Sequence, residues 1–321
     1  MQIISLGSSG LALSVLGFGT AGLLRVGRRH RQNTLAAALA SGITHFDTAP
    51  IYGLGESERA LGQFLRGRRA QVTVTTKFGL QVAPNAARLA ILQGAARALI
   101  ARAPGVRRLL ARRSSSLYTA PTFTVDTVRA SLERSLQALG TDHVDLFLAH
   151  ECSSSALPSP DLMGFLDDMR RAGKIREFGV ASSFPRTRDV VPARPDLARV
   201  LQFESDAFDD HVAQARSWAS ALVITHGALA RSVDRLCTFA AANPAVTAQF
   251  LARTSFDLRN QADASRLLLR AAVRTNSAGV VLMQSRSPVR IEANARAATS
   301  AELDEPVRVL QELLRERSAA A

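Results

Sequence analysis

The sequence predicts an α/β protein folded as a single (β/α)8 TIM barrel. Short apolar bursts of strand length recur along the chain with helical patterns between them, as expected for repeated βα units on a buried parallel sheet. Eight such strands can be counted, the number that closes a barrel. The length of 321 residues suits one barrel, and no shift in composition divides the chain, so residues 1–321 read as one domain. A doubly wound sheet is the competing architecture. It calls for a Gly-rich phosphate loop after an early strand, a pattern that GFGTAG (17–22) only half meets.

The strand VLGFGTAGL (15–23) leads through the helix RQNTLAAALASG (31–42) to ITHFD (43–47). The helix ESERALGQFLRG (56–67) then precedes VTVTTKFG (72–79). VDTVRASLERSLQALG (125–140) is an amphipathic helix stopped by Gly140, and VDLFLAH (144–150) follows as a buried strand. DLMGFLDDMRRAGK (161–174) leads to IREFGVASS (175–183), and a helix around 192–198 leads to VLQFES (200–205). A helix near 211–218 precedes ALVITHGAL (221–229), and ASRLLLRAAVRT (264–275) precedes AGVVLMQS (278–285). ELDEPVRVLQELLRER (302–317) opens a C-terminal helical segment, 302–321.

One stretch breaks the rule of short loops: residues 80–124 form an insertion after the third strand. Within it, residues 87–113 alternate Arg with Ala and Leu at helical spacing, which reads as a surface excursion with an apolar face on the barrel. This stretch and 243–262 are the loops expected to shape a substrate pocket.

The chain carries a net charge of +13, almost all from arginine, with Lys77 and Lys174 its only lysines. The arginines scatter along the whole length and no zinc-finger or RNA-recognition signature accompanies them. The charge therefore reads as compositional, and no nucleic-acid partner is expected. Cys152 and Cys237 lack metal-ligand spacing and read as free thiols in a reducing cytoplasm, with no metal expected. Residues 1–24 are uncharged but hold five glycines and no basic start, a turn and strand rather than a leader. No apolar run is long enough to span a bilayer, so no membrane partner is expected and the cytoplasm is the expected location.

In a barrel all strand C-termini open on one face, where reacting groups gather. Asp47 closes the second strand with Tyr52 just beyond it, Lys77 closes the third and His150 the fourth. Each alone has an ordinary explanation as cap, core phenol, surface amine or satisfied histidine. Four polar, titratable residues at adjacent strand ends are another matter, because the fold brings them together. A phenol near pKa 10 holds its proton too firmly for efficient transfer at neutral pH. A lysine beside it lowers that pKa, and an aspartate keeps the lysine charged.

SGITHFDTAPIYGLGESERALG (41–62), TVTTKFG (73–79), SLERSLQALGTDHVDLFLAH (131–150) and GKIREFGVASS (173–183) resemble the signatures of the aldo-keto reductase family. The resemblance implies a catalytic tetrad of Asp47, Tyr52, Lys77 and His150, with Tyr52 as general acid. It implies a nicotinamide cofactor lying across the barrel mouth and reduction of an aldehyde or ketone, a small-molecule carbonyl substrate. Ser182 or Ser183 and Gln202 stand where the family holds the carboxamide, Ser182 replacing the usual Asn. Thr20 and Asp47 are counted among the cofactor-binding residues, and QSRSPVRIEANARA (284–297) resembles the adenosine-phosphate segment. There Ser285, Arg286 and Arg290 would surround a 2′-phosphate and Asn294 would reach the adenine, which favours NADPH over NADH. Gln284 and Ala293 depart from a lysine and a glutamate frequent in the family. His226 is the first candidate to stack on the nicotinamide, Phe208 the second. The competing reading is a barrel that binds cofactor in a regulatory or redox-sensing role with little catalysis.

Overall fold

The computed structural model describes residues 1–6, 10–83 and 119–319. The expected Arg-rich helix at 87–113 lies outside the described residues. The chain opens with an antiparallel hairpin, β1 (Ile3–Leu6) and β2 (Leu11–Ser14). Eight parallel strands then close a barrel: β3 (Leu16–Gly19), β4 (His45–Asp47), β5 (Thr73–Phe78), β6 (Val144–His150), β7 (Ile175–Ala181), β8 (Val200–Glu204), β9 (Leu222–His226) and β10 (Val280–Met283). Their order is sequential, and β10 pairs with β3 to complete the circle. These strands are buried on both faces, which is why they read as apolar runs rather than alternating ones.

The hairpin was expected only as a turn and a strand. Leu11 and Leu13 are fully buried with Leu146, Val200, Ile224 and Val280 from the barrel interior. The Ser14 hydroxyl accepts from the amides of Thr44 (2.9 Å) and His45 (3.2 Å), tying the hairpin to the start of β4.

Helices α1 (Arg28–Ala40), α2 (Glu56–Leu65), α3 (Val125–Leu139) and α4 (Pro160–Arg171) follow the first strands much as expected. Gly140 ends α3 in the left-handed conformation (φ +63), the conformation for which glycine is selected at a helix end. Farther on, the structure corrects the sequence reading. The helix after β7 is α5 (Phe184–Ala193), not 192–198, and Pro195–Leu197 forms only a short 3-10 turn. After α6 (His211–Trp218), the region expected as a loop over 243–262 carries α8 (Pro244–Thr254), between α7 (Ser232–Ala242) and α9 (Gln261–Thr275). Then come α10 (Pro288–Thr299) and α11 (Asp304–Ala319). Leu236, Phe250, Leu267, Leu268, Val307 and Leu310 bury a second core among α7, α8, α9 and α11, outside the barrel proper.

The feet of the 80–124 insertion are joined. Thr119 N donates to Gln81 O (3.0 Å) and Thr122 N to Gly79 O (3.1 Å). Gly79 has φ +104, and a Cβ there would meet the Phe123 ring at 2.4 Å, so glycine is required for this crossing.

His45 lies in the barrel interior, its Nδ1 2.9 Å from Thr73 Oγ1 and its Nε2 3.2 Å from Thr75 Oγ1. Burial pushes its pKa down to about 4, so the native state holds it neutral. Below pH 6.5 the unfolded chain takes up a proton that native His45 refuses, and stability falls as pH drops toward 4. The expected slope is about 1.4 kcal/mol per pH unit from this residue. Urea denaturation at pH 7, 6 and 5 should show it, with His45→Gln losing close to one proton's worth of slope. An unchanged slope in the variant would contradict the assignment.

Candidate active site

β4 and β5 are barrel neighbours, with Asp47 beside Thr75 in register. Lys77, two residues on, points to the same inward face as Thr75. Its ammonium donates to Asp47 Oδ1 (2.8 Å), Asp47 Oδ2 (2.9 Å) and Thr48 O (3.0 Å), and reaches Tyr52 OH at 3.3 Å. Lys77 and Asp47 are almost wholly buried. Tyr52 is brought to them by the tight turn after β4, where Gly53 (φ +59) passes so close to Leu24 that a Cβ would lie 1.9 Å from its Cδ1. His150, at the end of β6, presents its ring edge-on to Tyr52 with centroids 6.2 Å apart. The structure therefore brings Asp47, Tyr52, Lys77 and His150 to one point at the C-terminal face.

The electrostatics refine the sequence expectation. Burial outweighs every other influence on Tyr52 and raises its pKa, although Lys77 pulls it down as anticipated. Burial also disfavours the Lys77 ammonium, but Asp47 and Tyr52 more than compensate and hold its pKa above the ordinary value. His150 is pushed down to about 3, by burial first and then by Lys77 and His226. At neutral pH the site thus holds a protonated phenol, a charged amine and a neutral imidazole.

Glu58 is buried in the first turn of α2 and accepts from Thr76 Oγ1 at 2.6 Å. Ser57 donates weakly to Thr20 O (3.4 Å) and does not cap α2.

Gln202, on the strand directly across the barrel from β4, donates from Nε2 to Asp47 Oδ2 at 3.0 Å. Its Oε1 is buried without a hydrogen-bond partner among the described residues, as are Thr20 Oγ1 and His150 Nδ1. Ser182 is buried after β7, but its hydroxyl donates to Cys152 O (2.9 Å) and is not free. His226, at the end of β9, faces the site with a solvent-accessible ring whose pKa is lowered chiefly by desolvation. Phe208 is engaged elsewhere, under the Arg235 guanidinium (4.1 Å) and against the outer helical core.

A cavity of about 380 Å³ runs from Asp47 and Tyr52 past Gln202 and His226 to Gln284. A larger one of about 650 Å³, between α2 and α3, contains none of the tetrad. The smaller cavity has the size of a small-ligand site, and the unsatisfied Gln202 Oε1 suits an amide donor. Beyond Gln284 the chain enters α10. The Ser287 hydroxyl caps this helix by accepting from Arg290 N (3.4 Å), and Ser285 Oγ accepts from Ser287 N (3.1 Å). Arg286 and Arg290 are exposed here and Asn294 lies one turn on. His30 of α1 holds the Arg286 carbonyl at 2.5 Å. The residues present thus fit a dinucleotide with its amide end beside Tyr52 and its phosphate end at α10.

The bond between Gln202 and Asp47 was not foreseen, because it depends on the width of the barrel interior. Among the described residues, no group of His, Cys, Asp or Glu could hold a metal, and no helix is long and apolar enough to cross a membrane.

Known proteins resemble this chain in sequence and in fold. The model of the aldo/keto reductase family matches residues 15–196. A D-threo-aldose 1-dehydrogenase from a Pseudomonas species is 32% identical over 209 residues, covering 60% of this chain and 58% of that protein. An NADH-specific methylglyoxal reductase from Escherichia coli strain K12 is 30% identical over 192 residues, covering 57% and 52%. The chain thus matches little more than half the length of these relatives. Among solved structures, a holo-form aldo-keto reductase from Bacillus halodurans superposes with a TM-score of 0.69 at 18% identity, over 98% of this chain and 96% of that one. A match to the family model over more than half the sequence, on a closed eight-stranded parallel barrel, identifies the chain as a member of the aldo/keto reductase family.

Proposed function

We propose that this protein is an NADPH-dependent oxidoreductase that reduces a small aldehyde or ketone to an alcohol, with Tyr52 as general acid. The observation that carries the reading is the Tyr52–Lys77–Asp47 chain, a protonated phenol 3.3 Å from a buried ammonium that is itself pinned by a carboxylate. A bound nicotinamide would supply the hydride that the carbonyl carbon takes up. Neutral His150 orients the carbonyl oxygen, and Tyr52 transfers its proton to that oxygen as negative charge develops. Lys77 stabilises the resulting phenolate, and Asp47 keeps Lys77 in place. Gln202 would hold the carboxamide through Oε1 while its Nε2 keeps Asp47 fixed. Thr20 would line the same end, and His226 would be the residue to hold the nicotinamide ring. Ser182 contributes less, since its hydroxyl serves the Cys152 carbonyl. A cytoplasmic setting suits the free thiols of Cys152 and Cys237.

The choice of NADPH rests on Ser285, Arg286 and Arg290, with Asn294 beside the adenine. One relative uses NADH specifically, so the arginines carry the distinction. Each guanidinium to a 2′-phosphate is worth about 1.5–3 kcal/mol. Replacing both Arg286 and Arg290 by Ala should weaken NADPH binding at least about 100-fold and leave NADH binding nearly unchanged. Fluorescence titration with both cofactors reads this directly. Equal affinity of the wild type for the two would contradict the preference. Tight NADPH binding with no turnover of any aldehyde would favour the regulatory reading, to which the committed hydroxyl of Ser182 lends its weight.

A further inference from the structure

Tyr52 reaches Lys77 from a turn of uncommon backbone. The three residues after it, Gly53 (φ +59), Leu54 (φ +59) and Gly55 (φ +89), are all left-handed. A leucine adopts that conformation at a cost, so the turn keeps its shape because the structure on either side imposes it. On one side β4 is fixed by its pairing with β3 and β5. On the other, α2 begins at Glu56 with no side-chain cap. Two contacts hold that helix. Gly62 lies against the end of α3, where a Cβ would meet the Ala138 carbonyl oxygen at 2.6 Å. Glu58, only 3% exposed, accepts from Thr76 Oγ1 at 2.6 Å. Thr76 immediately precedes Lys77 on β5, and the strand's alternation turns its side chain outward to the helices while Lys77 points into the barrel.

A buried carboxyl is a costly filler between a helix and a sheet, where an apolar side chain would do. Burial raises the Glu58 pKa against the opposing pull of Thr76, Ser135, Lys77 and Arg134. The mechanism above does not use this group. Its hydrogen bond ties the segment that carries Tyr52 to the strand that carries Lys77, closing the chain around their 3.3 Å contact. We propose that Glu58, through Thr76, is a positioning residue that sets the separation of Tyr52 from Lys77 and with it the efficiency of proton transfer. This rests on the reductase reading. The role needs an acceptor at Glu58 Oε1 rather than a charge, so glutamine should serve. If Glu58 only filled space beneath α2, an apolar pair of the same shape would serve equally well.

The test compares wild type, Glu58→Gln, Thr76→Val and the double variant Glu58→Leu/Thr76→Val, using glyceraldehyde or butanal, whichever the wild type reduces faster. Thermal melts, steady-state kinetics with NADPH and the solvent deuterium isotope effect on kcat are measured for each. The double variant replaces both partners by apolar groups of similar shape, which is nearly neutral for stability, so its Tm should stay close to that of the wild type. Its kcat should fall about 10- to 100-fold, the loss expected when a reacting group is displaced by about an ångström. KM for NADPH should change by less than about threefold. The isotope effect should rise, because transfer of the Tyr52 proton then limits turnover. Thr76→Val should show the same signature, and Glu58→Gln, which keeps the acceptor, should retain kcat within about threefold. A folded double variant with wild-type kcat would overturn the proposal, as would a Glu58→Gln protein equally impaired. So would a loss that tracks the folded fraction and leaves the isotope effect unchanged. If neither Thr76→Val nor the double variant folds, the hydrogen bond serves the fold rather than the site and the proposal falls. Wild-type protein that reduces neither aldehyde overturns the reductase reading itself.

Discussion

Tyr52→Phe should lower carbonyl reduction by about 10²- to 10⁴-fold, the usual contribution of a positioned acid, while leaving the fold and cofactor affinity intact. The structure explains why the loss should be confined to chemistry. The hydroxyl is one of four acceptors around Lys77, and without it the ammonium retains both Asp47 oxygens and the Thr48 carbonyl. The Lys77 ammonium also lies 4.9 Å from the Tyr52 ring centroid, a contact that a phenylalanine ring keeps. Burial holds the phenol above its ordinary pKa of 10.0, so the alkaline limb of wild-type reduction should lie above that value. His150, pushed down to about 3, has no proton to spare at neutral pH and should not substitute as the acid. Steady-state kinetics with a thermal melt of both proteins separates the outcomes. A variant that melts normally and retains more than a tenth of the activity would remove Tyr52 from the acid role.

Lys77→Met should destabilise the protein by about 3–5 kcal/mol, the scale for breaking a buried ion pair from one side. Asp47 would then remain buried with the Gln202 amide as its sole side-chain donor among the described residues. The double variant Asp47→Asn/Lys77→Met removes the stranded charge and should recover much of that stability. Both proteins should be inactive, because neither can stabilise a phenolate. Denaturation midpoints of the two single variants and the double variant measure the coupling. Additive losses would mean that the pair does not interact as the 2.8 Å contact implies.

Much of this was legible in the sequence, for identifiable reasons. The barrel strands announce themselves because parallel strands buried on both faces become unbroken apolar runs, as in VDLFLAH of β6. The grouping of Asp47, Lys77 and His150 followed from the barrel's own rule that strand ends share one face, while their reading with Tyr52 as a tetrad came from the resemblance to the aldo-keto reductase signatures. Helix α5 was misplaced: a helix was expected around 192–198, whereas it runs from Phe184 to Ala193 with Pro192 inside its last turn. Pro185 occupies a first-turn position, where its missing N–H costs nothing. Helix α8 went unseen because its apolar residues, Phe250 among them, face other helices rather than the barrel. Interactions that cross the barrel, such as Gln202 to Asp47, depend on its diameter and carry no local signal. The sign of Lys77's effect on Tyr52 was readable from residue types alone. Its defeat by desolvation was not, because burial of the phenol is a property of the assembled site.

The central claim is hydride transfer to a carbonyl at Tyr52, and the most direct test follows the hydrogen itself. Wild-type protein would be incubated with glyceraldehyde and with butanal, each with NADPH carrying deuterium at the transferable C4 position, and the products analysed by mass spectrometry. One deuterium on the alcohol carbon for each NADP⁺ formed, lost in Tyr52→Phe, is the result this account predicts. Tight NADPH binding with no deuterium in any alcohol would contradict it and leave a barrel that binds its cofactor without using it.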